Sequence, residues 1–246
     1  MMVEHRPKAK TGIAHTRWAT HGEPSEDNAH PHGSNEEIYI VHNGIIENHE
    51  PIRTRLKNEG YKITSQTDSE LIAHLIHLYK EESGSTLQAL IEATKELKGA
   101  YSIAVIDKDK KGKVFAARQK SPLLIGRGIE ENFVASDPLA IANITEGFYL
   151  LEDGDFAEIS KEKIRIFDET SKAVQRKETL IEATATATSR GKVPAISFSA
   201  SVCLGRFSRS ASTSSLSMAQ NCASGVRQGE EEFFDVVANF VGDCNG

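Results

Sequence analysis

The pattern of apolar and polar residues divides the chain into two parts. Over residues 1–178, apolar runs alternate with turn residues and helical periods at the short spacings of a compact domain. Residues 179–246 are instead rich in serine, alanine and threonine, with 11 serines in the 36 residues from Ser189 to Ser224. This composition buries too little apolar surface to offset the loss of chain entropy on folding. We therefore predict one domain over 1–178 and a disordered tail over 179–246.

The middle of the domain carries helical signals. Residues 67–70 read Thr-Asp-Ser-Glu, the spacing of a capping box, and apolar residues recur at helical spacing over 71–79. Asp68 is then expected in the first turn, where the helix dipole favours a carboxylate. A second helix is predicted over 85–97.

Runs of β-branched and aromatic residues predict strands on both sides of these helices. Two precede them, at 12–16 and 37–41, and the second is followed by Asn43-Gly44. The strands predicted after the helices are 100–106, 114–117, 123–126, 132–135, 147–151, 155–159 and 163–167. Helices that cluster between strands favour an α+β fold with antiparallel sheets over a βαβ alternation.

Composition and charge exclude several classes of function. The 246 residues are 39% hydrophobic and 26% charged, enough to build a core, and the net charge is −6 with basic and acidic residues interspersed. This balance argues against nucleic acid as a partner. No apolar run approaches the ~20 residues that span a bilayer, and residues 1–10 are polar, so we expect no membrane contact and a cytoplasmic protein.

The cysteines and histidines do not predict a metal site. The three cysteines, Cys203, Cys222 and Cys244, are odd in number and widely spaced. Six histidines between residues 15 and 49 suggest a metal cluster by their number alone, but they lack the spacing and the partners of a zinc site. We interpret them as structural and loop residues, and we expect neither metal nor cofactor.

Two short strings carry the most specific signal. Residues 16–24 read Thr-Arg-Trp-Ala-Thr-His-Gly-Glu-Pro, and residues 41–44 read Val-His-Asn-Gly. Together they resemble the bacterial type of glutamine–fructose-6-phosphate aminotransferase (isomerizing), the glucosamine-6-phosphate synthases, over about residues 12–177. The resemblance lies in the glutaminase half of that family. It implies a four-layer αββα sandwich of the N-terminal-nucleophile hydrolases, here incomplete because the opening strand and helices are missing.

The resemblance also implies roles for individual residues. Arg17 and Asp68 would clamp the carboxylate and the ammonium of glutamine, and a planar guanidinium suits a carboxylate. Thr20 and His21 would line the same pocket. Trp18 would cover the passage that carries ammonia away, with a place in the core as the alternative. From spacing alone, a surface ion pair is the favoured role of Arg17, and the string around it reverses that interpretation.

Asn43 and Gly44 have two interpretations. An Asn-Gly pair is the commonest two-residue hairpin turn. The resemblance instead makes the Asn43 side-chain amide and the Gly44 backbone N–H the donors that stabilise the tetrahedral oxyanion of amide hydrolysis. We favour the oxyanion role because the upstream string accompanies the pair.

The family's nucleophile is a cysteine at the mature N-terminus, whose own α-amine acts as the base. This chain opens with Met1 and has no cysteine before Cys203. We therefore expect a glutamine pocket without its nucleophile, inactive alone, with fructose 6-phosphate bound only by the missing isomerase half. A non-catalytic module for glutamine binding or subunit pairing is the alternative. The glutaminase half of another amidotransferase, such as those that make phosphoribosylamine or asparagine, is a further one.

Overall fold

The computed structural model describes residues 11–16, 23, 25–142, 144–145 and 147–180, together with the backbone of 200–204 and 241–242. Its helices are α1 (His49–Asn58), α2 (Ser69–Ser83) and α3 (Thr86–Glu96), and a 3-10 turn covers Pro138–Ala140. Its strands are β1 (Thr11–His15), β2 (His32–Ser34), β3 (Ile38–Ile46), β4 (Gly99–Asp107), β5 (Lys113–Gln119), β6 (Leu124–Arg127), β7 (Asn132–Ala135), β8 (Gly147–Leu150), β9 (Phe156–Ser160), β10 (Ile164–Phe167), β11 (Ala173–Val174), β12 (Glu178–Leu180), β13 (Ala200–Leu204) and β14 (Val241–Gly242).

The strands form two sheets, and neighbouring strands run antiparallel. The first sheet has the order β11-β10-β9-β5-β4-β3-β2, and the second has the order β12-β8-β6-β7-β13-β1-β14. In the first sheet, β3 pairs with β4 over its whole length, from Ile38 opposite Asp107 to Ile46 opposite Gly99. The α+β fold with antiparallel sheets, predicted from the sequence, is thereby confirmed.

Strand alternation divides the apolar side chains between two cores. In β4, Ile103 and Val105 pack with the helices, whereas Ala104 and Ile106 pack with residues of the second sheet. Successive side chains of a strand point to opposite faces, so one short strand serves both layers. The core between the sheets is completed from the second sheet by Ile13, Ile125 and Val134.

The helices cover the outer face of the first sheet. α2 is the most deeply buried of them because its apolar residues extend around most of its circumference, and it ends at Gly84, whose φ of 67° provides the left-handed C-cap. The outer face of the second sheet carries a smaller cluster around Phe133, against which Ile141 packs after the 3-10 turn. The described residues thus build a helix layer and two sheets, an incomplete αββα sandwich.

Two features of the local prediction need correction. The strand predicted over 37–41 runs on to Ile46. Helix α1 and strand β2 were not predicted from the pattern: α1 buries only Ile52 and Leu56 and carries Pro51 in its first turn, where a proline is tolerated because that N–H needs no helical partner. The predicted helix over 85–97 is confirmed as α3, which begins after the Ser85 cap.

The predicted tail contains two described strands. β13 and β14 flank β1 on either side, and β12 crosses the predicted boundary at residue 178 by pairing with β8. The rest of 181–246 lies outside the described residues. The division into a domain and a disordered tail therefore stays a prediction.

None of the described helices is long and apolar enough to cross a membrane. The cytoplasmic location remains a prediction from the sequence.

Candidate active site

Asn43 and Gly44 lie within a continuous strand and do not form a turn. Asn43 stands opposite Ser102 and Gly44 opposite Tyr101 in the β3–β4 ladder, and β3 continues for two further residues. The hairpin interpretation of this Asn-Gly pair is therefore wrong. The glycine must have another physical reason.

That reason is the close approach of the two strands. Gly44 has a φ of +135°, and a Cβ added to it would lie 2.0 Å from the carbonyl oxygen of Ala100. Gly99 mirrors it on the facing strand, with the same φ and a Cβ position 2.1 Å from the carbonyl oxygen of Ile45. Only glycine combines this backbone conformation with this approach.

Asn43 is half-buried, and among the described residues its side chain contacts His15. The Nε2 atom of His15, at the end of β1, hydrogen-bonds Asn43 Oδ1. The amide is therefore engaged at its acceptor end, and the two N–H bonds of its Nδ2 are the donors that an oxyanion role requires. That role itself stays a prediction.

Asp68 is anchored to the end of the same strand. It lies one residue before α2, and not within the first turn as predicted. Asp68 is 4% exposed, and its Oδ2 accepts a hydrogen bond of 2.7 Å from the backbone N–H of Ile46. Ile46 is two residues beyond Gly44. The predicted ammonium-binding carboxylate and the predicted oxyanion donors therefore belong to one end of β3.

The capping box before α2 is half-formed. Thr67 Oγ1 accepts from the N–H of Glu70 at 3.3 Å, as the motif predicts. The Glu70 carboxylate does not return to Thr67 but accepts from the N–H groups of Thr64 and Ser65, at 2.9 Å and 2.6 Å. Glu70 thus fixes the loop that leads into α2, and with it the position of Asp68.

His42 is the buried neighbour of Asp68. Its Nδ1 lies 2.9 Å from Ser69 Oγ. The pKa of His42 is lowered, chiefly because burial disfavours its charged form, while the Asp68 carboxylate and the Ala100 carbonyl act in the opposite direction. A neutral His42 leaves the negative charge of Asp68 available to a cationic ligand.

The histidine rings form a packed array. His15 lies 4.3 Å from His30 between ring centroids, and His30 lies 4.7 Å from His32. His32 Nε2 is 3.1 Å from Thr67 Oγ1, just before Asp68. Sequence reasoning assigned these histidines only a structural role. It missed the contact of His15 with Asn43, because the two residues are 28 positions apart and meet only through the fold.

The predicted residues Arg17, Trp18, Thr20 and His21 lie outside the described residues. His15 and Thr16 lead directly into this segment. The structure thus places Asn43, Gly44 and Asp68 at the same end of β3, and the roles of all seven residues stay predictions.

Among the described residues, the group with distances suited to a metal ion is Glu37, His77 and Glu81, which includes none of the predicted site residues. The ammonium of Lys80 already lies 3.2 Å from Glu37 Oε2 and supplies positive charge there. This group therefore does not resemble a cation site.

Comparison with known proteins shows the family to which the chain belongs. Residues 15–143 match the family model described as a glutamine amidotransferase domain. The chain is 54% identical over 167 residues to the glutamine–fructose-6-phosphate aminotransferase [isomerizing] of Pseudomonas aeruginosa, which covers 68% of this chain and 27% of that protein. It is 51% identical over 175 residues to the Escherichia coli K12 protein of the same name, 71% of this chain and 29% of that protein. The chain spans less than a third of the length of these relatives.

Solved structures share the fold. The glutamine phosphoribosylpyrophosphate amidotransferase of B. subtilis, complexed with ADP and GMP, matches with a TM-score of 0.52 and 21% identity, covering 69% of this chain and 45% of that one. A structure described as the allosteric regulatory enzyme of purine biosynthesis matches with a TM-score of 0.52 and 22% identity, over 67% and 44%. At these identities the likeness concerns the fold alone.

Proposed function

This chain belongs to the glutamine amidotransferase domain family, and we propose that its described residues supply the ammonium-binding and oxyanion-stabilising part of a glutaminase site. The observation that carries the proposal is the hydrogen bond from Ile46 to Asp68. It brings the carboxylate to the same end of β3 as Asn43 and Gly44. In the whole protein, the amide nitrogen of glutamine would pass to fructose 6-phosphate and yield glucosamine 6-phosphate, as the names of the relatives suggest.

Recognition of glutamine requires one group of each charge. We assign the α-ammonium to Asp68, whose negative charge is not compensated by the neutral His42. We assign the α-carboxylate to Arg17, because a guanidinium fork binds a carboxylate with two parallel hydrogen bonds. Thr20 and His21 complete the pocket in this proposal, and Trp18 covers the route of the released ammonia.

Hydrolysis requires donors for the charge that develops on the amide oxygen. The Asn43 Nδ2 group and the Gly44 N–H are proposed to supply them, and one such donor contributes roughly 3 to 4 kcal/mol in a comparable protease site. Residues 11–180 contain no cysteine. In our proposal these residues therefore bind glutamine and stabilise the charge on the amide oxygen, and the attacking thiol lies outside residues 11–180.

Titration calorimetry with L-glutamine tests the proposal. We expect binding with a dissociation constant on the order of 1 mM or below, no binding of D-glutamine, and at least a tenfold loss in Asp68→Asn. The asparagine keeps an oxygen for the Ile46 N–H and removes only the charge. Glu92→Gln, at a half-buried position of α3 that contributes no predicted site residue, is the control and should bind as the wild type does.

Two results would decide against the assignment. A folded wild-type protein that binds no glutamine at about ten times that concentration would refute it. Equal binding by Asp68→Asn would refute the role of Asp68. Ammonia release is measured in parallel, and binding without release would favour the glutamine-binding module as the function of the chain by itself.

A further inference from the structure

The orientation of the Asn43 amide decides whether it can stabilise an oxyanion. An asparagine side chain presents a donor at Nδ2 and an acceptor at Oδ1, and the torsion that exchanges them is broad and roughly two-fold. Turned the wrong way, Asn43 would present a partial negative charge to the developing oxyanion. Something must therefore hold the amide in one orientation.

His15 is positioned to do so. Its Nε2 contacts Asn43 Oδ1. A ring nitrogen reaches a carbonyl oxygen favourably only when it carries the proton, so the contact requires Nε2–H on His15. One hydrogen bond thus selects both the tautomer of the histidine and the orientation of the amide.

The His15 ring is in turn held in place by its neighbours. The residue is 8% exposed and packs against His30, which packs against His32. His32 contacts the Thr67 hydroxyl, which accepts the N–H of Glu70 in the first turn of α2. The array thus links Asn43 on β3 to the residues that position Asp68.

We propose that His15 is a positioning residue of the glutaminase site, which orients Asn43 so that its Nδ2 faces the developing oxyanion. The inference rests on the proposed function, since it explains how one of the two proposed oxyanion donors is oriented. It requires no charge on His15 and no contact between His15 and the substrate.

The tautomer of His15 tests the inference without any ligand. In a long-range proton–nitrogen spectrum of the wild-type protein we expect His15 to carry a proton on Nε2. An unprotonated Nε2 would mean that Asn43 donates to His15 and turns its oxygen toward the site. That result would overturn the inference, independently of whether the protein binds glutamine.

Ligand binding tests whether the orientation of Asn43 by His15 matters for stabilising the oxyanion. The probes are L-glutamine and L-homocysteine sulfonamide, whose sulfonyl oxygens imitate the tetrahedral intermediate. His15→Phe keeps a ring against His30 and removes the donor, and we expect it to weaken the sulfonamide at least about tenfold and glutamine less than about threefold. His15→Gln, which regains an N–H donor, should recover most of the loss.

A double-mutant cycle separates positioning from general damage. Asn43→Ala should weaken the sulfonamide as much as His15→Phe does, and the double variant should lose no more, because both changes remove the same donor. Additive losses, or equal weakening of both probes, would overturn the inference. A wild-type protein that fails to bind glutamine would refute the proposed function instead, and the tautomer would still decide whether His15 orients Asn43.

Discussion

Replacing Gly44 by alanine tests the close approach of β3 and β4. The new Cβ would lie 2.0 Å from the Ala100 carbonyl oxygen and 3.0 Å from the Tyr101 Cα, and all of these atoms belong to the backbone. No side chain can turn away to relieve the contact, so the strands must separate. We expect about 1 to 3 kcal/mol from the backbone conformation at a φ of +135° and about 1 to 3 kcal/mol from overpacking.

The expected sum, about 2 to 6 kcal/mol, is a large part of the 5 to 15 kcal/mol that stabilises a typical domain. The matched control is Gly84→Ala at the end of α2. Gly84 also has a positive φ, of 67°, but its added Cβ meets no atom within 4 Å. It should therefore show only the conformational cost, about 1 to 2 kcal/mol.

Urea unfolding monitored by circular dichroism measures both variants, with the slope of the transition as a check that the unfolding remains two-state. Gly99→Ala should resemble Gly44→Ala, because its Cβ would meet the Ile45 carbonyl oxygen at 2.1 Å. The double variant should cost less than the sum, since one separation of the strands relieves both contacts. If Gly44→Ala and Gly84→Ala differed by less than about 0.5 kcal/mol, the steric argument would be refuted.

Two further predictions concern buried charges. Burial alone would raise the pKa of Glu70, but the His74 ring 3.6 Å away and hydrogen bonds from the loop N–H groups hold that pKa well below its usual range. The ionised form of Glu70 therefore stabilises the fold above its unfolded pKa of about 4.3, and this stabilisation is lost progressively as the pH falls from about 5 toward the lower folded pKa. Glu70→Gln should be about 1.5 to 3 kcal/mol less stable at pH 7, and its urea unfolding at pH 7, 5 and 3 should show a shallower decline in acid. Parallel pH profiles of the two proteins would contradict this. Lys80→Met should lower the free energy of unfolding by about 3 to 5 kcal/mol, because it leaves Asp107, with its side chain 0% exposed, without its cation. Lys95→Met, at an exposed pair, is the control and should cost less than about 1 kcal/mol, and equal effects would show that burial does not matter.

The sequence predicted the parts of the fold whose signals are local. Helix α2 and strand β7 follow from an apolar period and a run of β-branched and aromatic residues, and both lie where they were predicted. Helix α1 was missed because its burial depends on two apolar residues only. The end of β3 was misread because Asn43-Gly44 has the composition of a turn, and only the facing strand explains why a glycine stands within a ladder.

The sequence points to candidate site residues, which remain predictions, but not to the contacts between them. The strings around Arg17 and Asn43 carry the family resemblance, and residue 68 carries the helix-start signal. Nothing in the spacing indicates that Asp68 accepts from Ile46 or that His15 contacts Asn43, since both contacts join segments that only tertiary structure brings together. The same limit explains why the histidines, conspicuous by number, could not be assigned partners.

The division of the first sheet between two cores has a consequence for folding. A one-residue slip of β3 against β4 would turn Ile38 and Ile40 from the helix side to the side of the second sheet. It would also place a residue that carries a side chain against the carbonyl of Ala100, where only Gly44 fits. Misaligned pairings of β3 with β4 should therefore be short-lived during folding, and the register of the strand that carries the predicted site residues is fixed by both its cores and its glycine.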